Sequence, residues 1–228
     1  MAAPGLMPFR NSHPRFLDGL SLAETKVIVA AAKQERYLPN SVIASQGDCA
    51  NHLFMLVSGR ARCFYLTSEG KKVILRWLTP GQICGQAAIL STPSEYLIGT
   101  EAVKNSSVLV WGRATIRGFA ARYPQLNDNT MLIMFDYLTL YRDTHIAMTY
   151  DAADQRVAHV LTNLANTIGK RIALGIEVDV RNEELANEAN VTLFTVSRLI
   201  STWRRQGILT KSRGKVLLRS PEELLQRI

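Results

Sequence analysis

The sequence predicts an α+β chain in three parts: a β-roll over residues 1–123, a long dimerisation helix over 124–150 and a winged helix-turn-helix over 151–228. Three patterns carry that reading. Gly47, Gly59, Gly70 and Gly81 fall 12, 11 and 11 residues apart between short apolar runs, the spacing of turns in a sandwich or barrel. An apolar heptad pattern follows Pro124. Two short apolar helical patterns with Asn190 between them precede a basic C-terminus.

Each element follows from local pattern. Over residues 16–33, Leu17, Leu20, Leu22, Val27, Ile28 and Ala31 fit short helices, and Ser21 with Glu24 three residues later makes a capping box. From 37 to 116 the chain reads as strands, at 41–45, 53–57, 62–66, 72–78 and 108–110, with Gly-Asp, Ser-Gly, Glu-Gly and Pro-Gly contexts that favour tight turns. After Pro124, Met131, Leu138 and His145 recur every seven residues, and Met134, Tyr141 and Met148 repeat that interval offset by three. These are the a and d positions of a coiled-coil seam. The seam is narrow and flanked by Asp136, Arg142, Asp143 and Thr144, which favours pairing with a second copy over burial inside one domain. A helix from 154 to about 167 carries Val157, Val160, Leu161 and Leu164 on one face, and Gly169 and Gly175 bracket its exit.

Residues 183–199 read as two crossing helices. Leu185, Ala189, Val191, Val196 and Leu199 supply their small core, Ala186 permits close approach, Asn190 suits a left-handed turn position, and Thr192 caps the second helix. In such a unit the leading residues of the second helix meet base edges in the major groove. Here those are Leu193, Phe194, Ser197 and Arg198; the Arg198 guanidinium suits guanine O6 and N7, and Leu193 and Phe194 suit a thymine methyl. Thr195 and Arg204 are expected on phosphate. Residues 211–217 read as a hairpin wing whose Lys211 and Arg213 also face phosphate. Between Arg198 and Arg219 there are seven basic residues and no acidic one.

Composition bounds the function. The hydrophobic fraction of 47% excludes general disorder, and Lys plus Arg exceed Asp plus Glu by 27 to 19, a net charge of +8 that favours phosphate-rich partners. No apolar run approaches the roughly 20 residues of a membrane span, and residues 1–10 lack the charged-then-apolar order of a secretion signal, so a cytoplasmic protein is expected. Cys49, Cys63 and Cys84 have no CxxC spacing and read as small, partly buried thiols. His13, His52, His145 and His159 form no close pair, so neither a metal site nor a cofactor is expected; His145 reads as a polar contact in the seam.

The combination resembles the CRP/FNR family of bacterial transcription regulators over roughly residues 16–225, through Phe54-Met55-Leu56-Val57-Ser58-Gly59, Leu78-Thr79-Pro80-Gly81 with Gly85, and Glu184-Leu185-Ala186 through Thr195-Val196-Ser197-Arg198. The resemblance implies a β-roll of the cyclic-nucleotide-binding kind, a homodimer on palindromic double-stranded DNA, an effector that reorients the DNA-binding parts, and RNA polymerase as a partner. The cyclic-nucleotide members hold ribose and phosphate with a Gly-Glu and an Arg-Ser pair, and the matching positions here are Gly85-Gln86 and Tyr96-Leu97. A buried phosphate facing leucine has no charge partner, so cAMP is not expected as the effector. What remains is an apolar and aromatic pocket of Tyr96, Leu97, Ile98 and Tyr141 with Arg142; the effector is left unidentified, and control without a ligand stays open. The oxygen-sensing members' cysteine cluster is absent. Phe194 stands where many members carry an acidic residue, and Arg181 where the first helix of the motif is usually capped by Ser or Thr, leaving Asn182 as the expected cap. The alternatives are a ligand-binding module acting on a protein partner, which leaves the basic helix-turn-helix unused, and a cupin-like enzyme, which lacks clustered metal-binding residues on adjacent strands.

Overall fold

Short strands turned by glycines build the N-terminal half of the computed structural model, which describes residues 16–212 and 214–226. Helix α1 (Leu22–Ala30) begins at the Ser21–Glu24 capping box, both bonds of which are made, at 3.3 and 2.8 Å. There follow β1 (Lys33–Tyr37), β2 (Val42–Ala44), β3 (His52–Ser58), β4 (Ala61–Leu66), β5 (Lys72–Leu78), β6 (Ile83–Cys84), a 3-10 turn (Gln86–Ile89), β7 (Gly99–Ala102) and β8 (Ser106–Gly112). They form two four-stranded sheets, β1-β8-β3-β6 and β2-β7-β4-β5. All four regularly spaced glycines adopt positive φ. Gly59 is the most constrained: a Cβ there would lie 2.3 Å from the Asn105 carbonyl oxygen.

The first sheet is covered on both faces. Ile43, Phe54, Leu56, Cys63, Leu78 and Val108 fill one core between the sheets. Leu53 and Trp111, alternating with Phe54 and Val110 along their strands, meet a second core of Ile28, Ile116, Leu126 and Ile133 supplied by helices, with Phe16 from the turn that precedes them. These helices are α1, α2 (Arg113–Arg122) and α3 (Gln125–Tyr150). The Trp111 indole donates to the Ile28 carbonyl at 2.7 Å, so its one polar atom is satisfied at zero exposure.

The chain divides into two compact units, one ending at Tyr137 and one beginning at Leu138. After α3 the second unit holds α4 (Ala153–Ile168), β9 (Lys170–Ile172), β10 (Gly175–Asp179), α5 (Asn182–Glu188), α6 (Leu193–Arg205), β11 (Leu209–Ser212), β12 (Lys215–Leu218) and α7 (Pro221–Gln226). Its sheet order is β11-β12-β10-β9. The buried stripe of α4 is Val157, Ala158, Leu161, Leu164 and Ala165; Val160 is only half-buried.

Several elements depart from the sequence reading. Ile116, placed among strands, is helical: Gly112 ends β8 and opens α2 directly. Strands β1, β6, β7 and β9 went unread because they are short or do not alternate apolar with polar; β10, Gly-Ile-Glu-Val-Asp, does alternate and was missed. The sequence of β1 is Lys-Gln-Glu-Arg-Tyr, and it is held by pairing along β8. All four residues of β7, Gly-Thr-Glu-Ala, are buried.

The buried Glu101 of β7 is held between Arg62 Nε at 2.7 Å and Lys72 Nζ at 2.5 Å. Burial pushes its pKa up, but the bonds from Lys72 and Arg62 outweigh burial and hold the carboxyl below its ordinary value. A carboxylate depressed in the folded state adds stability above its unfolded pKa, and that contribution disappears as pH falls through the folded pKa. Glu101→Gln is therefore expected to cost about 1–3 kcal/mol in urea unfolding at neutral pH. The gap to wild type should narrow as pH falls below the ordinary carboxylate range, and a gap that does not change with acidification would show that the charge is not what holds the strand.

Candidate functional site

The turn between α5 and α6 is built by backbone geometry. Asn190 sits at φ +49°, and the Val191 amide donates back to the Ala186 carbonyl at 3.0 Å, which ends α5 and turns the chain. Thr192 caps α6, its hydroxyl accepting from the Thr195 amide at 3.1 Å. Arg156 of α4, which no local pattern singles out, clamps this turn: Nε donates to the Ala189 carbonyl at 3.0 Å and Nη2 to that of Asn190 at 3.3 Å. Leu185, Ala186, Ala189 and Val196 are buried as expected. Leu199 and Val191 are only half-buried; Ile200 and Trp203 hold the core instead, because α6 turns its 196, 200 and 203 stripe inward. Asn182 is not the cap of α5. Arg181 occupies that position, its amide donating to Glu184 at 2.8 Å, while the Asn182 amide bonds Ser197 and Lys211.

The outer face of α6 is open. Phe194 is 77% exposed, and Leu193, Arg198 and Arg204 are exposed as well. Thr195 is half-buried with its hydroxyl 2.9 Å from that of Thr192. Ser197 is half-buried and accepts from Asn182 Nδ2 at 3.1 Å. Strands β11 and β12 pair as a hairpin with Gly214 at φ +73°, and Lys215 is bonded to Glu177 at 2.7 Å. Lys211 is half-buried and turned onto Asn182; Arg213 lies outside the described residues.

The sensor positions separate. Gly85 (φ +78°) and Tyr96 come together, a Cβ at Gly85 falling 3.2 Å from the Tyr96 ring. The buried Tyr96 hydroxyl donates to the His52 carbonyl and accepts from the His52 amide, each at 2.9 Å, and burial raises its pKa. Leu97, its neighbour, is 80% exposed. Gln86 points to the Ile83 carbonyl and the Tyr137 hydroxyl, both at 3.4 Å. The Arg76 guanidinium stacks 3.8 Å from the Tyr137 ring centroid and donates to Ile83 at 2.9 Å, a cluster with no sequence signature. Tyr141 and Arg142 belong to the second unit, where Asp143 binds the Arg142 guanidinium at 2.7 Å. Cys63 and Cys84 are buried, and burial pushes the Cys84 thiol up to about 12; Cys49 is exposed.

On α3, Met131, Met134, Leu138, Tyr141 and His145 are exposed and Met148 is half-buried. Leu132, Phe135 and Ile146, which the heptad omits, are exposed too. Among the described residues no helix is long and apolar enough to cross a membrane, and no group of three or more His, Cys, Asp or Glu is placed to hold a metal.

Two family models match, the cyclic nucleotide-binding domain over residues 34–123 and the Crp-like helix-turn-helix domain over 155–227. The chain is 25% identical to the "Cyclic AMP receptor protein" of Thermus thermophilus over 88% of its length and 90% of that protein's. It is 24% identical to the "Nitrogen fixation regulation protein FixK" of Azorhizobium caulinodans, over 90% and 82% of the two. In fold it is similar to FixK2 from Bradyrhizobium japonicum, with a TM-score of 0.74 at 23% identity, covering 86% of this chain and 96% of that one. A matched sensor domain followed by a matched Crp-like helix-turn-helix, in relatives aligned over most of their lengths, means that this chain belongs to the CRP/FNR family of DNA-binding transcription regulators and is not an enzyme.

Proposed function

We propose that the chain acts in the cytoplasm as a homodimer that binds a palindromic operator in double-stranded DNA and works with RNA polymerase. Its effector is not cAMP, or it needs none. The observation that carries this is the exposed face of α6, where Leu193, Phe194 and Arg198 stand clear of the domain core on a helix whose other side is buried through Val196, Ile200 and Trp203 and whose leading turn is clamped by Arg156. Arg198 and Ser197 read base edges by hydrogen bonds, Leu193 and Phe194 by apolar contact, and Thr195 and Arg204 meet phosphate. The copies pair along Met131, Met134, Leu138, Tyr141, His145 and Met148. A face of this size exposed on one helix favours a partner, and the heptad spacing favours an identical one.

Selection from random duplex DNA with purified protein and no ligand tests the whole reading. A two-fold palindrome with half-sites about one helical turn apart is expected; no enrichment from a folded dimer, with or without cell extract, would oppose it. In that assay Arg198→Ala should relax preference at one position per half-site, at about 1–3 kcal/mol, with much less loss on random DNA. Equal weakening on both would make Arg198 a phosphate contact. Leu138→Glu, which puts a charge into the seam, should weaken dimerisation by about a hundredfold in sedimentation. A wild type that sediments as a monomer at micromolar concentration would rule out the seam.

The name of the Thermus relative raises cAMP as an effector, but three positions oppose it here. Gln86 is turned to Ile83 and Tyr137, Tyr96 is bonded through its hydroxyl to the His52 backbone, and Leu97 offers no hydrogen bond. Calorimetric titration with cAMP should show no heat of binding at micromolar concentration, and a micromolar isotherm would refute the assignment.

A further inference from the structure

Three polar side chains from three elements form a chain between the wing and the recognition helix, and the polarity of each link is fixed by chemistry. Lys211 of β11 is half-buried, and burial pulls its pKa down. Its ammonium donates to Asn182 Oδ1 at the start of α5. An ammonium has donors only, so the amide oxygen must face it and the amide nitrogen must face away. That nitrogen donates to Ser197 Oγ at 3.1 Å. Ser197 is therefore the acceptor, and its own hydrogen is directed elsewhere. Helical hydroxyls commonly pass that hydrogen to the carbonyl four residues back. Thr130, Thr149 and Thr167 all do so here, at 2.7, 2.9 and 2.8 Å. Ser197 does not: among the described residues, Asn182 is its one hydrogen-bond partner.

We propose that Lys211 and Asn182 are positioning residues that tune specificity: by occupying one lone pair of Ser197 they bias its hydroxyl toward donating, so that its position on α6 favours an acceptor on a base edge. The acceptors in the major groove are guanine O6 and N7, adenine N7 and thymine O4. Opposite a cytosine amine only the second lone pair of Ser197 is left to accept, and the hydrogen that would serve a base acceptor makes no bond across the interface, which lowers the preference for that base. The inference rests on α6 being the base-reading helix, and it changes the role of Lys211. The sequence suggests a phosphate contact on the wing, whereas the structure turns this lysine inward to orient a neighbour.

Binding-site selection with wild type, Ser197→Ala, Asn182→Ala, Lys211→Met and Lys211→Arg separates the outcomes, with thermal melting to confirm that each variant is folded. Wild type is expected to enrich an acceptor-bearing base at the Ser197 position, and Ser197→Ala should reduce that preference about fivefold. Lys211→Met and Asn182→Ala should flatten the same position and leave the position read by Arg198 intact, while Lys211→Arg, which keeps a donor, should retain the preference. The proposal is overturned if Lys211→Met leaves every base preference in place and weakens all sequences alike, with a salt slope shallower by about one. A wild type that enriches no sequence is a different result, the failure of the base-reading helix itself. The relay is also readable without DNA. Lys211→Met and Ser197→Ala should each shift the Asn182 side-chain amide resonances of the free protein, and unchanged resonances would overturn it independently.

Discussion

The β-roll depends on how α3 is seated, and one buried asparagine sets that seat. Leu126, Asn129 and Ile133 are the buried residues of α3, with Tyr137 following on the same face. Asn129 is 2% exposed; its nitrogen donates to the carbonyls of Phe16 and Asp18 at 2.9 and 2.8 Å, and its oxygen accepts from Gln125. A buried amide without such partners costs several kcal/mol, whereas a leucine in its place would tolerate small rotations of the helix. Turning α3 by one residue, about 100°, would break both carbonyl bonds and expose Ile133. With that rotation fixed, Met131, Met134 and Phe135 have to point away from the sheets, so this exposed apolar face follows from the anchoring of the opposite one.

The same logic governs the polar groups inside the sandwich. Glu101 is enclosed by Arg62 and Lys72, and Arg76 lies on the Tyr137 ring while donating to Ile83. Neither arrangement exceeds a well-packed apolar core in net stability, because desolvation offsets much of the attraction. Each requires one geometry, however, and a strand or helix that slips leaves a buried charge without its partner. Tyr96 applies this to the loop before β7: its hydroxyl accepts from the amide and donates to the carbonyl of the same residue, His52, which ties the loop to β3.

Sequence legibility tracked periodicity. The capping box at Ser21, the positive-φ glycines, the seven-residue spacing on α3, the left-handed Asn190 and the Thr192 cap were all readable because each is a local rule acting on a few neighbouring residues. Strands β1 and β7 were not, because their residues are charged or small and only pairing with β8 and β4 makes them strands. The candidate site divides in the same way. Exposed Phe194 and Arg198 follow from helical phase, while the Arg156 clamp and the Lys211–Asn182–Ser197 chain join residues between 15 and 34 positions apart. No pattern along one chain encodes such meetings. The assignment of Asn182 as a cap failed for this reason: a residue suited to a local bond was taken by a distant lysine.

If α6 reads bases as proposed, its specificity has to come from few hydrogen bonds. Leu193 and Phe194 lead α6 with side chains that neither donate nor accept, so they distinguish bases only through the thymine methyl and through shape. Discrimination by hydrogen bonding then falls to Arg198, whose fork fits two acceptors at once, and to Ser197, whose single hydroxyl accepts or donates depending on its surroundings. An unconstrained serine is a poor reader because it rotates to suit either kind of edge. Tying one lone pair of its oxygen to Asn182, and Asn182 to a donor-only ammonium, narrows that freedom before DNA arrives. Under the proposed relay a wing strand acts on base choice through Asn182 and Ser197, so that the wing and α6 would work as one reading surface.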